Sequence, residues 1–136
     1  MTDTAEMVAF VEKRLNEEEQ VAREADAEPF PDTGFERGTH VAYGLQSTGL
    51  GLAYQGHALL WDPARALLEI EAKRERLRLL QVNEARWAEV ENDSEPFNAF
   101  ARGDACGRFN MARRMVALDA AVWRDHSDYD AGWEAP

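Results

Sequence analysis

Three features of the sequence predict an α+β domain, with about three helices packed on a small antiparallel hairpin or meander inserted between the first and second. Apolar residues recur at three- and four-residue steps in three separate stretches. Between Phe35 and Leu60 they instead alternate with smaller residues among glycines at 38, 44, 49, 51 and 56, which is strand spacing. The step Asp62-Pro63 then opens the longest helical pattern, because Asp suits the capping position and Pro at the first helical position wastes no N–H donor. The 136 residues make one domain, 1–136. A chain of this size buries roughly two-thirds of the surface its unfolded form exposes.

The first helix is predicted over residues 4–25. Asp3 and Glu6 are spaced as a capping box, and Met7, Val8, Val11, Leu15 and Ala22 form a stripe that Phe10 and Val21 widen. Glu17, Glu18 and Glu19 fall on its outer side, one turn beyond Lys13 and Arg14. Pro29 and Pro31 end the helix, since each disfavours helical geometry in the residue before it. Two strands are expected at 40–46 and 50–55, joined by a turn at Gln46-Ser47-Thr48-Gly49. A phosphate-binding reading of this segment fails on spacing. Gly49-Leu50-Gly51 has neither a third glycine nor a helix directly behind it, and no Gly-Lys-Ser or Gly-Lys-Thr occurs.

From Asp62 the second helix is expected to reach about Val82, or Val90 at its longest. Pro63, Ala66, Leu67, Ile70, Leu77 and Leu80 gather on one side, flanked by Lys73 and Arg74. The basic stems suit a place along apolar surface, and Arg65, Glu69 and Lys73 form an ion-pair ladder. Asn92-Asp93-Ser94-Glu95-Pro96 predicts a loop. Helical spacing returns from about Asp104 through Phe109, Ala112, Met115, Val116 and Leu118 to Val122. Gly103 and Gly107 weaken this start by ~1 kcal/mol each relative to alanine. The tail carries Trp123, Tyr129 and Trp133, and rings in that number predict a terminus folded back on the body.

The net charge of -11 is unevenly distributed. Residues 1–29 hold nine acids against Lys13, Arg14 and Arg23, and residues from Asp119 onward hold five against Arg124. The helix after Asp62 is slightly basic, so complementary packing is expected within one chain or between two, and unaided binding to a phosphate backbone is not. The one cysteine, Cys106, excludes an internal disulfide and a Cys-based metal site and points to a reducing compartment. No apolar run approaches the roughly 20 residues of a membrane helix, and the acidic start is unlike a signal peptide, so a cytoplasmic protein is expected.

Catalytic patterns are poorly represented. Ser47, Ser94 and Ser127 lack a Gly-x-Ser-x-Gly setting, and 26 acids make any single carboxylate pair uninformative. His126 between Asp125 and Asp128 is a candidate metal ligand, and a second histidine would have to be His57 or His40.

Three blocks, Met7–Glu19, Asp62–Arg74 and Asp125–Tyr129 with Trp133 beyond it, resemble in order and spacing a family of small proteins from actinomycetes and their phages, domain of unknown function 6221. The resemblance implies an actinomycete or phage cytoplasm and brings no chemistry. Where family members carry a second histidine four residues after the one matching His57, this chain has Trp61, and their proline after the tail histidine is Ser127 here.

Two classes of function follow. The first is a small, acidic, non-enzymatic interaction or accessory factor that uses Glu17, Glu18 and Glu19 together with Trp123, His126, Tyr129 and Trp133 to hold a protein partner or a second copy as a homodimer. A DNA-mimic inhibitor is a variant of it. The second is a metal-dependent protein or enzyme with a site near His57 and His126, with Asp125 and Asp128 as further ligands. No catalytic residue, cofactor, direct nucleic-acid contact or membrane contact is expected.

Overall fold

The computed structural model describes residues 3–27 and 62–134. Among them are three α-helices, α1 (Asp3–Ala27), α2 (Pro63–Val90) and α3 (Ala99–Ala120), with single 3-10 turns at Pro96–Asn98, Ala121–Trp123 and Ala131–Trp133. About 86% of the described residues are helical and none is in a strand, which corrects the α+β expectation to a mostly helical fold. The hairpin expected at 40–46 and 50–55 lies outside the described residues. Among the described residues the buried apolar surface comes from the helix stripes and the tail rings.

The chain divides into two compact units, Met1–Leu15 with Ala72–Pro136, and Asn16–Glu71. In the first, Met7, Val11 and Leu15 repeat at four-residue steps along α1 and are fully buried, with Val8 and Phe10 beside them. Leu77, Leu80 and Val90 of α2 are buried as well. From α3 the buried residues are Ala105, Ala112, Val116, Ala117 and Ala120. Four alanines give α3 an inner face with little side chain, which lets helix backbones approach closely.

Two ion pairs join the helices across this unit. Arg76 of α2 grips Asp119 of α3 with both arms, Nε to Oδ2 at 2.6 Å and Nη2 to Oδ1 at 2.9 Å. Its guanidinium is held above its ordinary pKa first by that hydrogen bond and then by the charge of Asp119, against the cost of burial. Arg113 of α3 donates to the Asp3 carboxylate at the start of α1, so that acid serves a cross-helix contact. The acidic ends of the chain thus meet bases from its middle.

Helix α2 runs the full length to Val90, and α3 starts at Ala99, five residues before the expected Asp104. The intervening loop explains the early start. Asp93 accepts from the Glu95 backbone N–H at 2.9 Å and from Asn98 Nδ2 at 2.7 Å, and Arg102 donates to the carbonyls of Asp93 and Glu95. Pro96 sits in the first turn that follows, where its missing N–H costs nothing.

In the second unit the described residues are the end of α1 and the start of α2. Asp62 stands just before α2, and its backbone carbonyl accepts the Ala66 N–H at 3.0 Å. The anticipated side-chain cap is not made by Asp62 Oδ1, which is buried without a hydrogen bond. Ala22 and Ile70 are buried, while Val21 and Leu68 face outward. Glu19 pairs with Arg23 at 2.6 Å and Arg65 with Glu69 at 3.2 Å, both one turn apart on exposed surface.

Removing the α2–α3 clamp by Asp119→Ala is expected to cost about 1–2 kcal/mol, less than a fully buried charged hydrogen bond because the pair is partly wet; urea unfolding of the variant checks it. Asp93 is held below the ordinary aspartate pKa, first by the Glu95 amide, then by the Asn98 amide and the charge of Arg102. A lowered folded-state pKa means that the loop's stabilisation is present above the unfolded value of ~3.9 and is lost as pH falls through the folded value. In an NMR titration the Asp93 carboxyl should therefore move at lower pH than free aspartate, and Asn98→Ala should raise its midpoint.

Candidate functional site

Four of the tail residues singled out by the sequence meet on one ring of α1. Phe10, buried on the α1 stripe, has the Trp123 ring at 6.2 Å, His126 at 5.7 Å, Tyr129 at 6.0 Å and Trp133 at 5.1 Å. The first three stand edge-on, as aromatic quadrupoles favour, and Tyr129 meets Trp133 edge-on at 5.5 Å. Lys73 of α2 lies over the Trp123 ring, 5.1 Å from its centre.

The backbone of the tail is shaped to deliver these rings. Successive hydrogen bonds from the amides of Arg124, His126 and Tyr129 to carbonyls three residues back curl the chain after α3. Asp130 then accepts the Gly132 N–H through Oδ1 at 2.7 Å and the Trp133 N–H through its carbonyl at 3.0 Å, closing the turn that buries Trp133. A Cβ on Gly132 would lie 3.1 Å from that same Oδ1, so the cap and a side chain compete for the place.

Arg14, one turn beyond Phe10, finishes the cluster. Its guanidinium stacks 5.7 Å from the Phe10 ring centre and donates to Nε2 of His126. On the other ring nitrogen, Nδ1 has the Asp128 backbone N at 3.1 Å and the Asp128 carboxylate at 3.9 Å. A neutral imidazole accepts at one ring nitrogen only, so the N–H groups of Arg14 and Asp128 compete for a single lone pair. Tyr129 OH and Trp133 Nε1 are buried without hydrogen bonds. Burial raises the Tyr129 pKa, helped by the charges of Glu134 and Asp130 and opposed by Arg124.

As to the metal candidates, Asp125 and Asp128 are exposed beside the half-buried His126, and His57 lies outside the described residues. Among the described residues no group of three or more His, Cys, Asp or Glu is placed to hold a metal ion. Glu17 is exposed, and Glu18 and Glu19 are half-buried, on the part of α1 that belongs to the second unit. Trp133, one of the predicted interaction residues, is only 3% exposed.

A second feature lies on the side of α3 turned from the core. Phe100, Met111, Met115, Leu118 and Val122 are all exposed, with Asp104, Gly107, Arg108 and Arg114 between them on the same face. Met115, Leu118 and Val122, expected on the stripe that included Ala112 and Val116, point the other way. Between this face and α2 runs an open groove of about 500 Å³ lined by Leu79, Gly103, Gly107, Met111 and Met115, with Arg76 and Arg108 at its rim.

Sequence reading missed two things here. Phe10 and Arg14 were placed among stripe and charge residues when they are the receptor for the tail, and nothing in their spacing distinguishes them. The outer stripe of α3 did have a signal, since Phe100, Asp104, Gly107, Met111, Leu118 and Val122 advance by steps of three, four and seven residues.

Truncating the hub by Phe10→Ala should cost about 3–5 kcal/mol, as for other buried aromatic residues, and loosen all four tail rings at once. Near-UV circular dichroism would fall and tryptophan emission would shift to the red, whereas Phe10→Leu would retain part of both signals.

No curated protein and no solved structure matches this chain. The model of a family of unknown function (DUF6221) matches residues 4–135, a span that takes in Phe10, Arg14, the whole of α2 and α3, and the aromatic tail. On that match, the chain belongs to the family DUF6221.

Proposed function

We propose that this chain is a non-enzymatic interaction protein, an accessory factor working in the cytoplasm of an actinomycete or its phage. The observation that carries the reading is the apolar stripe on the outer side of α3, where Phe100 is 87% exposed, Met111 61%, Leu118 63% and Val122 67%. A monomer with a net charge of -11 has ample polar surface to place there, and a row of exposed apolar side chains interspersed with a few charges suits a protein-binding face. The tail cluster supports the reading from the other side. Its rings and its histidine are engaged with α1, so the face open to a partner is α3. The three sequence blocks support the biological setting, and the lone cysteine supports a reducing compartment.

The test is association that depends on the stripe. Wild-type protein should behave as a complex in light scattering or retain a partner in pull-down, and the pair Met111→Lys with Leu118→Lys should abolish this while leaving the far-UV helix signal unchanged. A strict monomer that retains nothing in either form overturns the proposal.

A further inference from the structure

We infer that a second copy of this chain covers the α3 stripe, the two α3 helices packing antiparallel about a two-fold axis level with Phe109; this rests on the interaction reading above and names its partner. From Phe100 to Val122 the stripe runs for about six helical turns and stays opposite the buried face formed by Ala105, Ala112, Val116 and Ala120. Its residues are matched to themselves in reverse order. Antiparallel pairing about Phe109 sets Phe100 against the second copy's Leu118, Gly103 against Met115, Asp104 against Arg114, and Gly107 against Met111.

Size and charge both select this register. A Cβ added at Gly103 or Gly107 would meet nothing within 4 Å, so each glycine leaves a hollow on the helix surface, and Met111 of the other copy fills the one at Gly107. Asp104 already accepts from Arg108 of its own helix at 2.9 Å, and its remaining lone pairs face the exposed Arg114 of the second copy. Moving the axis to Met111 would stack methionine on methionine and bring Arg108 opposite Arg114. A parallel in-register pair would leave glycine on glycine as a void and place each arginine beside its own copy. An isologous contact of this kind closes on itself and does not build fibres.

Sedimentation or light scattering on the full chain should give twice the chain mass of 15.4 kDa at micromolar concentration. Asp104→Arg and Arg114→Asp should each weaken the dimer about tenfold or more by setting like charges together, and the double variant should restore it because both pairs are inverted. In a Cys106→Ser background, Phe100→Cys with Leu118→Cys should give a disulfide-linked dimer on mild oxidation. Those two positions lie ~27 Å apart along one helix, too far for a bridge within the chain.

A monomer at every concentration overturns the self-association. So does a dimer that ignores the charge swap and fails to cross-link. If the monomer still holds a different protein through the stripe, shown by loss on Met111→Lys, the interaction reading stands without the dimer; if the stripe variants change neither mass nor any binding, both fall.

Discussion

The unit built on α2, α3 and the first half of α1 depends on the docking of the C-terminal rings onto Phe10. A ring on a helix stripe usually finishes its burial against neighbouring helices. Here Trp123, His126, Tyr129 and Trp133 arrive from one short irregular segment and surround it. A segment without regular hydrogen bonding needs local devices to hold its course, and the Asp130 cap and the chain of three-residue turns supply them. Arg14 adds a polar contact between α1 and the tail at His126. Apolar burial provides the driving force, while the polar contacts choose one arrangement among those the rings alone would accept.

Charge placement works in the same direction. The net charge of -11 would set the acidic ends against each other if they were adjacent and bare. Asp3 instead meets Arg113 of α3, Asp119 of α3 meets Arg76 of α2, and Lys73 covers the Trp123 ring, so each of these two acids has a base from another helix. Most remaining pairs, such as Arg78 with Glu75 and Arg86 with Glu89, lie along single exposed helices and add little beyond solubility. The cross-helix pairs are fewer and carry more of the specificity.

Helix α3 has two faces of different character. Inward it presents alanines and one valine, which bring backbones close and leave little room for error. Outward it presents methionines, leucine, valine and phenylalanine beside two glycines, a surface with both knobs and hollows. Apolar side chains on two sides of one helix exceed what packing against this core uses, and on the outer side they stand among Asp104, Arg108 and Arg114.

Much of the helical content was legible in the residues. The Asp62-Pro63 step marked the start of α2, the four-residue repeat of Met7, Val11 and Leu15 marked the buried side of α1, and the density of rings after Val122 announced a tail that packs. These readings succeeded because a proline's fixed geometry, periodicity and ring count are local properties, although the Asp62 side chain does not make the cap expected of it. The α+β assignment failed because it extended the spacing of one glycine-rich stretch to the class of the whole chain, while the described residues are helical. The sequence also placed Met115, Leu118 and Val122 on the same stripe as Ala112 and Val116. On a helix apolar on two sides, periodicity allows either side to be the core, and only the approach of other elements breaks the tie. The partner of the tail was undetermined for a similar reason. Phe10 becomes a hub through the curvature of residues more than a hundred positions away, and that proximity is a property of the folded chain alone.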